Sequence, residues 1–386
     1  MKKLLSKDFD PWYVMLSAPK VIKEKSNEFV ERPLLPKKFI NIDYKNIAKS
    51  AEKEAELIIR ERWRELRILS PEEQVATILS SKNFRNGNSL GVKKYLIKTL
   101  QDSGDEIKIV LPSFPFKIPN PLKTWHHNLD AGEILCLKRL YLISFIIQEL
   151  MDKPTKFVVI SDGFIYSDIC EIDSFEYKAY SQKAKDVINK MGISNNIEYV
   201  DMVDDVIGDD FEKYNQILKE VRLELKSWWD KNKDSDKVKY LISNMSSNIK
   251  TDDLDYSVLR AINKENMDNL LEEYLVKINE RSSAKAFEFT AKLVTLRITD
   301  TVINKYKGCI RATVHPKKGQ YGIHLVNKES QVFPWQGVVL QDKTGKFKTS
   351  SSQDAWQTAK CEVFDKDSGD FMYYSEMESP SSGDLL

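Results

Sequence analysis

The sequence predicts an α/β protein: a parallel β-sheet flanked by helices, then a helical middle region and a C-terminal β-rich segment. Between residues 107 and 202, short apolar runs alternate with longer segments of helical periodicity. Such alternation is typical of a parallel sheet with right-handed crossovers. After residue 308 only short apolar runs separated by turn residues remain, which indicates strands.

Composition limits the classes of function open to the chain. Its 386 residues carry 59 Lys and Arg against 58 Asp and Glu, a formal charge of +1. Without an excess of positive charge, we expect no nucleic-acid partner and no membrane surface as partner. The longest apolar stretch falls well short of the ~20 residues of a membrane-spanning helix. Four widely spaced cysteines predict reduced thiols and a cytoplasmic protein.

Residues 1–69 are predicted as an irregular lead-in followed by one helix. Apolar residues recur at helical spacing from about residue 42 to residue 69. A new helix is then predicted, with Ser70 as the N-cap and Glu73 completing a capping box. This start opens the main α/β domain, which we assign to residues 70–341. A turn at Asn86-Gly87 and a helix over residues 91–101 follow.

Three buried strands are predicted in the centre of the chain, at residues 107–111, 157–160 and 197–202. The first runs into residues 112–121, where four prolines exclude a helix or an interior strand and predict a stiff loop. Asp130 and Glu133 predict a capping box at the start of an apolar helix that ends near residue 151. A second helix is predicted over residues 174–191.

The rest of the chain divides into three parts. Residues 210–306 are helical in pattern and rich in charge pairs. Residues 342–374 are assigned to a C-terminal β segment, and the acidic, serine-rich residues 375–386 to a disordered tail. Strands are predicted at residues 310–314, 323–326, 338–340, 346–349, 361–364 and 371–374, with a hairpin turn at residues 343–345.

Common catalytic motifs are absent from the sequence. It contains no glycine-rich phosphate loop, no GxGxxG after a strand and no GxSxG nucleophile elbow. Its four histidines, at positions 126, 127, 315 and 324, form no recognised metal-binding pair. The sequence therefore predicts chemistry that needs no metal.

Polar clusters follow three of the predicted strands, where ligands bind in open parallel sheets. Residues 113–123 carry two aromatic residues and two lysines; the alternative is a rigid connector. Residues 161–168 carry two acids and two serine hydroxyls; the alternative is an ordinary turn or helix cap. Arg311, Thr313 and His315 share one face of a strand, and an arginine beside an imidazole can bind phosphate and move protons. The alternative there is an exposed β face.

These clusters, in this order, resemble the pyoverdine/dityrosine biosynthesis family, whose members include the isocyanide synthases. The resemblance covers roughly residues 70–341. Its most specific motifs are FPFKIPNP at residues 114–121, SDG at residues 161–163, and Arg311 with His315-Pro316. Residues 130–133, 281–285 and 333–338 also match. The family often has histidine after Pro-Trp where this chain has Gln336, so a proton transfer by that histidine is not available here.

The resemblance implies a Rossmann-like fold and an enzyme that condenses the α-amine of an amino acid, often tyrosine or tryptophan, with the ketone of ribulose 5-phosphate. It implies no metal and no other cofactor, with the sugar phosphate as co-substrate. It assigns Lys117, Asp162 and His315 to catalysis. The residues that it assigns to substrate binding are Ser113, Phe114, Phe116, Lys123, Ser161, Asp168, Arg281, Arg311 and Trp335.

Two other functions stay open. One is an N-acylating enzyme of the formyltyrosine type in an aromatic-metabolite or spore-wall pathway. The other is a non-catalytic ligand-binding protein of the same fold. If the chain is an isocyanide synthase, a separate iron- and 2-oxoglutarate-dependent oxygenase that acts on the product is an expected partner.

Overall fold

The computed structural model describes residues 34–87, 90–119, 124, 126, 128–246, 268–316, 320–330 and 332–380. Within these ranges, no helix combines the length and apolarity needed to cross a membrane. The strands are β1 (Lys37–Ile40), β2 (Arg85–Asn86), β3 (Ile107–Pro112), β4 (Thr155–Ser161), β5 (Ile197–Asp201), β6 (Ile310–Thr313), β7 (Tyr321–Ile323), β8 (Val338–Gln341), β9 (Phe347–Ser350), β10 (Cys361–Asp365) and β11 (Phe371–Ser375).

Helices surround these strands, and the predicted helical middle region is confirmed. The α-helices are α1 (Tyr44–Glu61), α2 (Trp63–Leu66), α3 (Pro71–Leu79), α4 (Val92–Gln101), α5 (Ala131–Met151), α6 (Gly163–Cys170), α7 (Ser174–Met191), α8 (Phe211–Asn232), α9 (Asp236–Ser246), α10 (Asp268–Ile298), α11 (Thr301–Lys305) and α12 (Ser352–Thr358). The capping box predicted at Ser70 and Glu73 is present at the start of α3.

The larger sheet has six strands in the order β2-β7-β6-β3-β4-β5. Strands β7, β6, β3, β4 and β5 run parallel, and β2 at the edge runs antiparallel to β7. This confirms the predicted parallel sheet and its three central strands. The register places Pro112 beside Ile160, and Ser161 beside Asp201. The carboxyl ends of β3, β4 and β5 therefore meet at one edge.

The smaller sheet has five strands in the order β1-β10-β11-β8-β9. Its four C-terminal strands were predicted, and β8 and β9 form the predicted antiparallel hairpin. Gly345 makes the turn with a φ of 82°, and its N–H donates to the carbonyl of Asp342. Strand β1 lies in the region predicted to be irregular. Because Ile40 is its one buried residue, β1 lacks the alternation that indicates a strand.

Helix α5 lies between the two sheets. It packs against β4 of the larger sheet, against β8 and β11 of the smaller sheet, and against α1. A helix enclosed by packed elements has to be apolar on most of its faces, which explains the apolar run over residues 140–147. Asp130 and Glu133 form the predicted capping box at its start.

Helix α6 was not predicted, although it begins at the Asp162-Gly163 step that the sequence analysis singled out. Its aromatic and β-branched residues favour strands, so local propensity did not indicate a helix. The start of α6 packs tightly on the loop that follows β3. A Cβ atom at Gly163 would overlap the carbonyl oxygen of Pro115 and lie 3.3 Å from the ring of Phe116.

We expect Gly163→Ala to destabilise the fold by about 1–3 kcal/mol, because the added methyl group collides with backbone that cannot move freely. Gly104→Ala is the matched control, since no atom lies within 4 Å of the position that its Cβ would take. Urea unfolding followed by circular dichroism measures the difference. Equal stability of the two variants would contradict the close contact between α6 and the loop.

Candidate functional site

Three of the predicted clusters meet at the carboxyl edge of the larger sheet. The loop over residues 113–118 leaves β3, Asp162 follows β4, and His315 comes two residues after β6. Strand β3 lies between β6 and β4. Because adjacent strands are about 4.8 Å apart, the backbones of Asp162 and His315 lie roughly 10 Å apart on either side of this loop.

The loop is held around an unusual residue, Phe114. Its φ of 57° is in the left-handed region, which is unfavourable for an aromatic residue, and its ring is fully buried. Two hydroxyl groups donate to its carbonyl oxygen, Ser161 at 2.9 Å and Tyr199 at 3.0 Å. These two hydrogen bonds fix the strained backbone. Ser161, predicted to bind substrate, therefore makes a contact inside the protein.

An aromatic wall extends from Phe114 to the surface. The ring centroids of Phe114 and Trp335 are 5.4 Å apart, those of Trp335 and Phe333 are 5.5 Å apart, and those of Phe333 and His315 are 5.0 Å apart. Phe114 and Trp335 are buried, whereas Phe333 and His315 are partly exposed. The end of the wall that a ligand can reach is therefore Phe333 and His315. Phe116, also predicted to line the slot, is buried.

Lys117, predicted to be catalytic, lies in a sealed ion cluster. Its ammonium is 2.5 Å from Asp130 Oδ2 and 3.0 Å from Glu133 Oε2, and all three side chains are inaccessible to solvent. The hydroxyl of Tyr180 donates to Glu133 Oε1 at 3.1 Å. The capping box at the start of α5 therefore also binds the loop through Lys117. We call Lys117, Asp130, Glu133 and Tyr180 the lysine cluster.

The lysine cluster has two carboxyl groups for one ammonium group. Burial raises the pKa of Asp130 to about 8 against the opposing effect of Lys117, and the neighbouring Glu133 adds to the rise. Burial lowers the pKa of Lys117, but the two carboxylates raise it by more. Lys117 therefore keeps its charge, and its single ammonium group is shared by the two buried carboxyl groups.

Asp162 has a partly exposed side chain at the end of β4. It occupies the N-cap position of α6, yet its carboxyl accepts no hydrogen bond from the first turn of the helix. Burial raises the pKa of Asp162 to about 7, and the nearby Asp201 adds to the rise. Asp162 therefore does not make the hydrogen bond that a simple helix cap requires. Its raised pKa leaves the carboxyl group partly protonated at neutral pH.

His315 lies at the opposite side of the loop. Its backbone N–H donates to the hydroxyl of Thr313 at 3.1 Å, which fixes the chain as it leaves β6. Burial lowers the pKa of His315 to about 4. The imidazole is therefore neutral at pH 7. Burial thus moves the pKa of His315 below the range in which an unperturbed imidazole titrates.

Arg311 lies on β6 beside Val110 of β3, two residues before β6 ends. Its backbone N–H donates to the hydroxyl of Tyr95 at 2.8 Å, and its side chain is exposed. Partial desolvation and the nearby Arg297 lower the pKa of Arg311. Two guanidinium groups close enough to repel each other form a favourable environment for an anion.

Asp168 and Arg281 lie toward the other end of α6. Lys292 contacts both carboxylate oxygens of Asp168, at 2.7 and 2.8 Å. Arg281 pairs with Glu171, the residue that ends α6. Because a helix rises about 1.5 Å per residue, Glu171 lies roughly 13 Å from Asp162. The structure therefore brings neither residue into contact with the strand edge.

The remaining predicted residues differ in what the structure says of them. Ser113 is buried, with its hydroxyl 3.5 Å from the carbonyl of Leu111. Lys123 lies outside the described residues. Among the residues that the structure describes, no group of three or more His, Cys, Asp or Glu side chains could hold a metal ion. The predicted independence of metal stays a prediction.

Sequence reasoning missed three residues of the site. Tyr180 and Tyr199 lie on α7 and β5, and no local signal distinguishes them from core tyrosines. Phe333 precedes the Pro334–Gln336 turn that carries Trp335, and it lies inside the stretch 333–338 that matched the resembled family. That match was the one signal that could have found it.

Comparison with known proteins points to one family. The model of the pyoverdine/dityrosine biosynthesis protein family matches residues 97–363, which is more than half of the chain. The crystal structure of the PvcA protein from Pseudomonas aeruginosa aligns with a TM-score of 0.56 at 18% sequence identity. The alignment covers 78% of this chain and 99% of that chain, and it shows a common fold.

Characterised relatives match over different lengths. An L-tyrosine isonitrile synthase of Xenorhabdus nematophila is 22% identical over 257 residues, which cover 63% of this chain and 70% of that protein. Isocyanide synthase A of Aspergillus fumigatus is 30% identical over 112 residues, 28% of this chain and 18% of that protein. The spore wall maturation protein DIT1 of Saccharomyces cerevisiae is 30% identical over 87 residues, 22% of this chain and 16% of that protein.

We expect Lys117→Met to destabilise the protein by roughly 3–5 kcal/mol, because it leaves the carboxyl groups of Asp130 and Glu133 buried without a cation. The matched control is Lys226→Met, which removes an exposed pair with Asp230 and should change stability by less than about 1 kcal/mol. Urea unfolding measures both. If Lys117→Met does not fold, Tyr180→Phe tests the same cluster, with an expected loss of about 1.5–3 kcal/mol. Wild-type stability of Tyr180→Phe would contradict the role of the cluster.

Proposed function

Because the chain belongs to the pyoverdine/dityrosine biosynthesis family, we propose that it is an isocyanide synthase. In this proposal it condenses the α-amine of an amino acid, tyrosine or tryptophan, with the ketone of ribulose 5-phosphate. Relatives named tyrosine and tryptophan isonitrile synthases support the class of product. We propose the amino acid and the sugar phosphate as its two substrates, and we propose that it has no resident cofactor.

The observation that carries the proposal is the pair of protonation states at the carboxyl edge. Asp162, whose pKa is raised to about 7, holds a proton over much of the physiological range. His315, whose pKa is lowered to about 4, is neutral, so its imidazole can relay a proton without holding a charge. Two groups whose environments move their pKa values in opposite directions are suited to the roles of acid and base.

Imine formation needs both roles. The free amine attacks the ketone carbon, and neutral His315 relays the proton that the nitrogen loses to the former ketone oxygen, which gives the carbinolamine. Asp162 then gives its proton to the carbinolamine hydroxyl, which leaves as water as the C=N bond forms. Each transfer of this kind typically contributes about 10²–10⁴-fold to the rate.

The other site residues support binding in this proposal. Phe333, supported from behind by the buried Trp335, forms the apolar surface for an aromatic amino-acid side chain. Arg311, with Arg297 nearby, is the group that binds the sugar phosphate, since a guanidinium offers a planar fork of donors that matches phosphate oxygens. Lys117 fixes the loop through the lysine cluster and does not contact substrate, because its ammonium is sealed.

A second candidate is an N-acylating enzyme of an aromatic-metabolite or spore-wall pathway. It is favoured by the match to a protein named for spore wall maturation. For the isocyanide synthase, an iron- and 2-oxoglutarate-dependent oxygenase that acts on the product is a proposed separate partner.

The function is tested by incubating the protein with ribulose 5-phosphate and each amino acid, followed by mass spectrometry of the products. We expect an isocyanide with tyrosine or tryptophan, formed only when the sugar phosphate is present. An N-acylated amino acid would favour the second candidate. No product with any amino acid, together with specific binding of the sugar phosphate, would support a ligand-binding protein.

We expect Asp162→Asn and His315→Gln each to lower turnover by at least about 100-fold with little change in melting temperature. In the wild type, kcat/KM should fall as pH rises through about 7, because Asp162 loses the proton that it must donate. It should also fall as pH drops toward 4, because His315 becomes charged.

The residual activity of Asp162→Asn should lack the decline near pH 7. Asp186→Asn is the matched control, since Asp186 is exposed on α7 and accepts a hydrogen bond from Gln182. If Asp162→Asn or His315→Gln retains more than about a tenth of wild-type turnover, that residue is not catalytic.

A further inference from the structure

Two tyrosines lie next to each other, one on α6 and one on α8, and only the one on α6 adjoins Asp162. Tyr166 is four residues after Asp162, so the two side chains lie on the same face of the helix. Tyr214 comes from α8 and lies near enough to raise the pKa of Tyr166. Neither hydroxyl has a hydrogen-bond partner among the described residues.

The two phenols differ in their access to a ligand. The hydroxyl of Tyr214 is buried and sealed from solvent. Tyr166 is 6% exposed and adjoins the partly exposed Asp162. The ring of Tyr166 packs on Phe289 of α10, with centroids 4.9 Å apart, which fixes its plane. A rigid phenol beside the proposed acid is therefore available to a molecule bound there.

The Tyr166 hydroxyl can act only as a neutral group. Burial, together with the nearby Asp162, holds its pKa well above the ordinary value of a phenol. A neutral hydroxyl donates a hydrogen bond to a carbonyl or hydroxyl oxygen. A group that donates a bond without titrating suits the recognition of an uncharged oxygen and does not suit proton transfer.

Resting on the proposed function, we propose that Tyr166 is a specificity-determining residue. Its hydroxyl donates a hydrogen bond to the ketone oxygen of the pentulose phosphate on which Asp162 acts. Asp162 and Tyr166 together then select a ligand that carries an oxygen acceptor at that position. A site built to bind an oxygen strongly disfavours an analogue that lacks it, because its polar groups are left unpaired.

The test compares Tyr166→Phe with Tyr214→Phe, since each removes one hydroxyl from neighbouring, similarly buried rings. In Tyr166→Phe, we expect kcat/KM for ribulose 5-phosphate to fall at least about tenfold, while KM for the amino acid stays within about twofold. Tyr214→Phe should retain wild-type kinetics, since it removes a buried hydroxyl without a partner. Melting temperatures establish that both variants are folded.

Calorimetric titration with ribulose 5-phosphate separates this inference from the proposed function. Weaker binding by Tyr166→Phe alone supports the inference, even if the wild type makes no isocyanide and the proposed function fails. Equal kinetics and binding for the wild type and Tyr166→Phe would overturn it. An equal loss in both variants would also overturn it, because position beside Asp162 would then be irrelevant. Failure of the wild type to bind the sugar phosphate would overturn both proposals.

Discussion

The contact between Lys117 and the start of α5 is the interaction on which the rest of the site depends. Asp130 and Glu133 cap α5 and at the same time bind the Lys117 ammonium, so one pair of carboxyl groups satisfies both a helix terminus and a loop. Because α5 lies between the two sheets, the loop is tied to the most enclosed element of the structure. Such a buried cluster stabilises the fold only when each polar group has its partner. Because other loop conformations would break these pairs, the cluster favours a single conformation of the loop.

That single conformation has consequences at both sides of the loop. It holds Phe114 in a left-handed conformation, with its carbonyl against the hydroxyls of Ser161 and Tyr199. Ser161 directly precedes Asp162, so the same contacts define where the carboxyl projects. On the other side, the Phe114 ring supports Trp335, which the smaller sheet delivers through the turn before β8. The two sheets therefore cooperate in building one aromatic wall.

Sequence patterns predicted what depends on local chemistry. Parallel strands buried on both faces have continuous apolar runs, so the ends of β3, β4 and β5 were predicted to within two residues. The capping box at Asp130 and Glu133 was found because its spacing is local. What local patterns do not contain is the pairing between distant segments. Lys117 was assigned to catalysis, and Asp130 and Glu133 were interpreted only as a helix cap, although both contact the Lys117 ammonium.

Helix α6 was missed for a related reason, because its apolar residues favour strands and its helical state depends on packing against α7 and α10. The protonation states were equally hidden, since His315 resembles an ordinary imidazole until burial is known. Tyr180 and Tyr199 gave no signal, because their hydroxyl partners come from other elements. The sequence therefore predicted which edge of the sheet carries the candidate site. It did not predict the side chains that hold the site residues in place.

The raised pKa of Asp162 requires that burial outweigh the helix to which the residue belongs. A helix N-terminus favours a negative charge by roughly 0.3–1 kcal/mol, less than the 1.36 kcal/mol that moves a pKa by one. That contribution cannot offset the rise from 3.8 to about 7. The other end of α6 is held differently, since Lys285 donates to the carbonyl of Ile169, while Lys292 donates to the carbonyl of Ile165 in the first half of the helix. The Lys285 ammonium complements the negative C-terminal end of α6, so the helix is anchored at the end where no chemistry is assigned. At its N-terminal end, the Asp162 carboxyl makes no capping hydrogen bond.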